Sequence, residues 1–334
     1  MIVDVHGHIT SPALFGRFPM PPSLMDIEGM IEQKAAAGIS LTIVGSPVGA
    51  GTMVRVPGLD NYRQPGDQLR QFHDWIAEQV RHWPASLRAY AYVNPFGGDK
   101  ALAAAAALLE QPEFVGLIAN SSVSGEYLDS PRADGFFAMA AGHHAPVLLH
   151  PPAEPAGGPK LRDPRLVEHV ARPCDVATGT AAIIFAGWLE KYQDLAIIAP
   201  LAAGGLPLLA EKLEAAARMP RQLGPAPIPE GEPVLAGPVS ESLARVYADT
   251  ATPSADALRA AVRVLGPRNL LFGTDSPPLG EPLAQVLGRL ERLGLPAAER
   301  ELITGTTAAA LFGLDHTNAD TPIRAGATAG EESR

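Results

Sequence analysis

The segment Ile2-Val-Asp-Val-His-Gly-His8 closes an apolar run with two histidines one residue apart. Side chains on a β-strand alternate between faces, so His6 and His8 point the same way. Two imidazoles on one face at a strand's end can hold a divalent cation if other strands supply the remaining ligands. Candidates exist: His150 ends the run Val147-Leu-Leu-His150, and Asp275 ends Leu270-Leu-Phe-Gly-Thr-Asp275. Each alone has a plainer explanation. His150 reads as a satisfied histidine closing a buried strand, and Asp275 as the cap of a turn into Ser276-Pro277. Brought together, three histidines and one carboxylate are the ligand types a zinc-like ion prefers. Such an ion lowers the pKa of bound water from about 15.7 toward about 7, or binds a substrate carboxylate directly.

Bringing them together requires a fold that gathers strand ends. Apolar runs bounded by turn residues predict strands at 2–6, 40–45, 88–93, 114–119, 146–150, 195–199, 246–250 and 270–274. Helical patterns fall between them at Leu24 to Ala37, Gln68 to Arg81, Lys100 to Glu110, Asp134 to Ala141, Thr180 to Tyr192, Leu206 to Arg218 and Ala255 to Leu265. Alternating strands and helices imply parallel pairing with right-handed crossovers. Eight such units fit a single-domain (β/α)8 TIM barrel over residues 1–314, whose strand C-termini converge on one site. A doubly wound open sheet is the competing architecture, but no Gly-rich fingerprint follows the first strand.

Three stretches interrupt the repeat. Residues 46–67 and 152–178 follow strands two and five and are expected as irregular lids at the mouth. Residues 219–238, rich in Pro and Gly, follow helix six and are placed on the opposite face or along the wall. Residues 316–334 lack apolar periodicity and read as a disordered C-terminal tail, with the boundary at 314/315.

Composition narrows the class of partner. With 334 residues and 46% hydrophobic content, the chain can bury a large core. Net charge is −10 without a basic run, which argues against nucleic acid and for a small-molecule partner. No run of about 18 apolar residues predicts a membrane span, and the N-terminus shows neither a basic region nor an h-region. The lone Cys174 excludes an internal disulfide and fits a reducing compartment, so a cytoplasmic location is expected.

The predicted strand ends carry Ser46, Asn94, Asn120, Ser121, Ser122, Pro200, Leu201, Asp249 and Thr250 besides the four ligand candidates. Arg17, Arg55 and Arg63 are candidates to clamp a substrate carboxylate, since guanidinium binds carboxylates through two parallel hydrogen bonds. Asn120 and Ser121 could add neutral hydrogen bonds to the substrate. Trp75 and Trp188 fall on helical stretches and read as core. His143 and His144 precede strand five, at the wrong end of a barrel, and read as solvated or structural.

At these residues the chain resembles the metal-dependent amidohydrolase superfamily, in the branch of aminocarboxymuconate-semialdehyde decarboxylase and related aromatic-acid decarboxylases. The resemblance covers about residues 1–314 through Asp4-Val-His-Gly-His8, Tyr127-Leu-Asp-Ser-Pro131, Pro146-Val-Leu-Leu-His-Pro-Pro152, Gly204-Gly-Leu-Pro207, Leu270-Leu-Phe-Gly-Thr-Asp-Ser-Pro277 and Thr307-Ala-Ala-Ala-Leu-Phe-Gly313. It implies His6, His8, His150 and Asp275 as ligands of one divalent ion, usually zinc and sometimes manganese. It further implies Asp275 in catalysis, a small carboxylate substrate and a homodimer. One position departs: the family's histidine at the end of strand six is replaced by Pro200 or Leu201 in Ile197-Ile-Ala-Pro-Leu-Ala-Ala-Gly-Gly205. Neither residue transfers a proton. The expected activity is non-oxidative decarboxylation of a small aromatic or unsaturated acid. The alternatives are hydrolysis of an amide, lactone or similar acyl group, and a catalytically silent scaffold.

Overall fold

Runs rich in Val, Ile, Leu and Tyr, apolar on both faces, suit parallel strands covered on both sides. In a computed structural model, which describes residues 1–219, 234–277 and 281–314, these runs form the strands. They are β1 (Ile2–His8), β2 (Ile39–Gly45), β3 (Leu87–Tyr92), β4 (Phe114–Asn120), β7 (Val147–His150), β8 (Ile197–Ala199), β9 (Tyr247–Asp249) and β10 (Leu270–Leu271). All eight join one parallel sheet in chain order. The Val5 N–H donates to Phe272 O at 2.9 Å and the Asp275 N–H to His6 O at 2.9 Å, so the last strand's continuation meets the first and the sheet closes. A two-stranded hairpin, β5 (Ser122–Val123) with β6 (Glu126–Tyr127), is added at the mouth.

The principal crossover helices are α1 (Ile27–Ala36), α2 (Gly66–His82), α3 (Gly98–Leu109), α4 (Asp134–Gly142), α5 (Arg172–Phe185), α6 (Ala210–Ala217), α7 (Ala255–Leu265) and α8 (Leu283–Glu291). Local chemistry sets several of their ends. The Asp26 carboxylate accepts the Gly29 N–H at 3.1 Å before α1, and the Ser254 hydroxyl accepts the Ala257 N–H at 3.1 Å before α7. No helix among the described residues is long and apolar enough to cross a membrane.

The expected irregular stretch 152–178 is wrong in its second half. Helical structure begins at Pro164 and continues through α5, so Arg172, Cys174 and Asp175 are helical. Pro173 is compatible with this because it falls in the first turn of α5, where its missing N–H has no helical partner to lose. The predicted helix from Thr180 to Tyr192 is likewise broken at Gly187, which takes φ +72° before a separate short turn, Trp188–Lys191. Residues 46–65 are irregular, two residues short of the expected 46–67 because α2 already begins at Gly66, and they are tied down. Asn61 exchanges hydrogen bonds with both the N–H and the C=O of Thr52, and the Tyr62 hydroxyl donates to Ser122 O at 3.1 Å. The expected 219–238 connection falls mostly outside the described residues, as does the tail beyond 314.

Inside the barrel, Val3, Val5, Leu41, Ile43, Tyr90, Tyr92, Ile118, Leu148, Ile198 and Leu271 form one apolar cluster. It continues into Ala308, Phe312 and Leu314 at the N-terminal end of the strands, where the Phe312 ring meets Tyr90 edge-on at 5.9 Å. A larger apolar shell between sheet and helices holds Trp188, whose Nε1–H donates to Leu128 O at 2.8 Å.

His73, on the buried face of α2, has no carboxylate partner among the described residues. Its Nε2 accepts the Tyr92 N–H at 3.0 Å, and burial lowers its pKa to about 4. The unfolded chain, with a value of about 6.5, therefore binds more protons between these limits, and stability rises with pH. The stabilisation is complete above about pH 6.5 and falls away toward pH 4, by about 3 kcal/mol in all. We expect His73→Gln, which keeps an acceptor for Tyr92, to flatten the fall of the unfolding midpoint between pH 6.5 and 4; an unchanged slope refutes the assignment.

Candidate metal centre

The two histidines of β1 reach the mouth through a break in the strand's alternation. Val3 and Val5 belong to the barrel interior, and strict alternation would turn His6 outward. Register against β2 shifts between Asp4 and Gly7, a bulge that turns His6 inward after Val5. Gly7 then faces β2 so closely that a Cβ there would stand 2.5 Å from Thr42 Cγ2. The glycine between the two histidines is thus a packing requirement. His150 ends β7 beside Asn120 of β4, its register partner, and Asp275 follows β10 with φ +55°, a left-handed conformation.

These elements bring His6, His8, His150 and Asp275 together. One ligand atom from each lies within 4.8 Å of the others. The three imidazole rings stand 5.0 to 5.3 Å apart and nearly perpendicular to one another, at 81 to 84°. Every Nδ1 is engaged by an acceptor: His6 by Asp249 Oδ2 at 2.5 Å, His8 by Gly45 O at 3.0 Å and His150 by Pro151 O at 2.8 Å. A carbonyl only accepts, so His8 and His150 carry their protons on Nδ1 and turn Nε2 lone pairs inward. His6 Nε2 is buried with no hydrogen-bond partner among the described residues. Asp275 Oδ1 lies 3.1 Å from His8 Nε2 and 3.5 Å from His6 Nε2. This donor set fits a divalent ion, with each histidine's outer nitrogen fixed as metal-bound histidines require.

The electrostatics without an ion point the same way. Burial opposes charge on His6, but the carboxylates of Asp275 and Asp249 outweigh it and raise its pKa to about 9. Burial, reinforced by His8 and His6, holds His150 well below its ordinary value. Burial also opposes charge on Asp275, yet His6 and His8 hold it below the ordinary carboxylate range. The pocket thus favours a positive charge at His6, and a cation can replace that proton.

Around the cluster stand residues that the motif-based reading did not assign. Asp4, wholly buried, accepts hydrogen bonds from the Thr274 N–H at 3.0 Å, the Thr274 hydroxyl at 2.7 Å and Lys34 Nζ at 2.6 Å. Lys34 also donates to Ser276 O at 2.8 Å, bracketing Asp275. Asp249 was recognisable only as a polar end of strand seven; its pairing with His6 depends on barrel closure. Arg172 is buried, with Nη2 donating to Met53 O at 2.9 Å and Ala153 O at 3.3 Å, so it ties the two mouth loops together. It pairs with Glu168, and its Nε has no partner among the described residues.

The substrate-binding candidates separate. Asn120 is buried at the mouth, donating to Pro47 O at 3.0 Å and approaching His150 O at 3.5 Å, while its Oδ1 has no partner among the described residues. The Ser121 hydroxyl is committed to Asp175 at 2.6 Å. The three arginines lie in exposed contacts instead: Arg17 with Gln68, Arg55 with Glu154 and Arg63 with Asp60, the last two 65% and 88% exposed. Nothing in the sequence around them distinguished a solvated guanidinium from a buried one.

At the strand-six position, Pro200 starts a turn in which Leu201, Ala202 and Ala203 have φ of +60°, +54° and +58°, followed by Gly204 and Gly205, also positive. Left-handed backbone costs a non-glycine residue roughly 1–2 kcal/mol. Leu201 directs its N–H to Asp249 Oδ1 at 2.7 Å. The position therefore presents a main-chain donor to the carboxylate that holds His6.

Comparison with known structures shows the same fold at low identity. 5-Carboxyvanillate decarboxylase LigW from Sphingomonas paucimobilis aligns with a TM-score of 0.79 at 19% identity, over 93% of this chain and 98% of that one. 2,6-Dihydroxybenzoate decarboxylase from Rhizobium gives 0.73 at 20% identity, over 94% and 98%. Dihydroxybenzoic acid decarboxylase from Polaromonas sp. JS666, with bound manganese and the inhibitor 2-nitroresorcinol, gives 0.73 at 19%, over 96% and 99%. No curated protein sequence matches. The family model described as amidohydrolase matches residues 3–314, spanning both β1 histidines, His150 and Asp275, and the chain belongs to the amidohydrolase family.

Proposed function

We propose that the protein is a metal-dependent lyase that decarboxylates a small aromatic or unsaturated carboxylic acid without oxidation. The observation that carries this reading is the convergence of three fixed histidines and Asp275 at the mouth of a barrel whose similar structures include aromatic-acid decarboxylases. His6, His8, His150 and Asp275 would hold one divalent ion, zinc or manganese. When bound, the ion leaves the centre net positive and supplies charge stabilisation for a substrate oxygen.

The chain's own residues supply the rest. Loss of carbon dioxide breaks a C–C bond and leaves its electron pair on carbon, which must take up a proton. With Pro200 and Leu201 at the strand-six position and Asp249 committed to His6 Nδ1 and two main-chain N–H groups, Asp275 is the acid-base group left facing the inner imidazole nitrogens, and its carboxylate can accept a substrate proton and return it to that carbon. Asn120 Oδ1 offers a buried acceptor for a substrate hydroxyl. The carboxylate-binding role expected of Arg17, Arg55 and Arg63 passes in this reading to Arg172, which is buried between the two mouth loops and keeps an unused N–H. Partially hidden charge of this kind binds a carboxylate more strongly than a solvated arginine does. We further propose a cytoplasmic enzyme working as a homodimer.

Two measurements check this. Metal analysis of purified protein should give about one divalent ion per chain, and His6→Ala and Asp275→Ala should each lose it; unchanged metal content in both variants refutes the ligand assignment. Incubation with a panel of hydroxybenzoates and muconate-like acids should release carbon dioxide, and Asp275→Asn should lower the rate by about 10²–10⁴-fold. Acid release from amides or lactones, with no carbon dioxide from any member of the panel, would replace the lyase with a hydrolase.

A further inference from the structure

We infer that Asp249 is a positioning residue for the metal centre, fixing the tautomer and direction of His6, and that the left-handed turn after β8 serves to hold Asp249 in place. The inference rests on the reading of His6 as a metal ligand.

Three independent features converge on this carboxylate. First, Asp249 is wholly buried and its two oxygens are divided between tasks. Oδ2 faces His6 Nδ1 at 2.5 Å, while Oδ1 accepts the N–H groups of Leu201 at 2.7 Å and Ala251 at 3.0 Å. Two main-chain donors on one oxygen fix the plane of the carboxylate, so the other oxygen cannot swing away from the imidazole. Second, the donor from Leu201 exists only because that residue and its two successors accept a backbone conformation that side chains disfavour. Third, Gly273 stands beside the pair: a Cβ there would lie 2.9 Å from Asp249 Cβ and 3.1 Å from Oδ2. Any side chain at 273 would push the carboxylate off its line to His6.

The consequence for His6 follows from donor and acceptor inventory. His8 and His150 have their Nδ1 protons fixed by backbone carbonyls, which no side-chain substitution removes. His6 has no carbonyl in that place and depends on a side chain carried by another strand. A carboxylate with no proton of its own accepts from all three donors at once. An amide of the same shape has one accepting oxygen and an NH2 group, so with its oxygen kept on the two main-chain N–H groups its NH2 faces His6 Nδ1, which must then accept and carry the ring proton on Nε2, the atom turned toward the cluster. Asp249→Asn is therefore nearly isosteric and disruptive at the hydrogen-bond level alone. The strand-six turn, which carries no acid-base side chain at Pro200 or Leu201, in this way still acts on the centre, through a main-chain N–H.

The test uses the full-length protein with Zn²⁺ and Mn²⁺ as probes. Metal dissociation constants are measured by competition with a chromophoric chelator for wild type, Asp249→Asn, Gly273→Ala and His6→Ala. Histidine tautomers are read from ¹⁵N-labelled metal-free protein. Outer partners of metal-bound histidines typically contribute 10–100-fold in affinity, so Asp249→Asn should weaken binding by about that factor and remove the Nδ1–H preference of His6 alone. Gly273→Ala should weaken binding in the same direction although it changes no polar group, and it stands as the readout should Asp249→Asn lack a cooperative melt. If both variants bind metal within twofold of wild type while His6→Ala has lost it, the positioning role is wrong and the metal centre stands. If His6→Ala retains the ion with unchanged affinity, the ligand assignment fails and the inference fails with it.

Discussion

Asp4, sealed from solvent, accepts four hydrogen bonds, and the relation between the first and last strands follows from them. Its partners are the His6 N–H, the Thr274 N–H and hydroxyl, and Lys34 Nζ. One side chain thereby joins the start of the β1 bulge, the segment leading to Asp275 and the helix packed outside both. β10 is only two residues long as a paired strand, so ladder hydrogen bonding alone would leave the seam weakly defined. The buried ion pair compensates. Removing either partner of such a pair costs about 3–5 kcal/mol, because the remaining charge has nowhere to turn. The interval between His6, His8 and Asp275 is thus set from behind by groups that never face the mouth.

The same logic of buried, divided carboxylates recurs. Asp4 serves the seam, Asp249 serves His6, and Asp175 gathers the Ser121 and Ser122 hydroxyls with the Ala156 N–H at the base of the mouth loops. Each is satisfied mainly by main-chain or neutral donors, which hold direction as well as charge. Among the described residues, Asp275 differs in turning an oxygen toward the inner nitrogens of His6 and His8. The arrangement sets three carboxylates tied up in the scaffold apart from one that faces the open side of the histidines.

Much of this was legible in the sequence, and the parts that were not share a cause. Apolar runs and their spacing gave all eight barrel strands, because burial on both faces leaves a continuous signal. The candidate ligands His6, His8, His150 and Asp275 stood out because they interrupt such runs with polar groups at the end where a barrel collects them. Helix α5 was misplaced because Pro and Gly around residues 152–173 look like a loop, whereas Pro173 occupies the one turn of a helix that tolerates it. Lys34 and Arg172 were missed, Asp249 was read only as a strand end, and the exposed Arg17, Arg55 and Arg63 were preferred, because the hydrogen bonds that join Lys34 to Asp4, Asp249 to His6 and Arg172 to Met53 span 30, 243 and 119 positions and leave no local pattern. The inward turn of His6 agreed with simple alternation from His8, but the bulge that produces it was invisible, since nothing in Val-Asp-Val-His marks where the register slips.

The apolar plug of Ala308, Phe312 and Leu314 against Tyr90 has its own consequence. With the interior filled by Val3, Ile43, Tyr90, Ile118 and Leu148, the barrel is a cup and not a tube. Whatever reaches His8 and Asp275 must arrive and depart through the same opening, past the loops that Arg172 ties together. Entry and exit therefore share one path, and a molecule lodged at that opening stands in the way of the next.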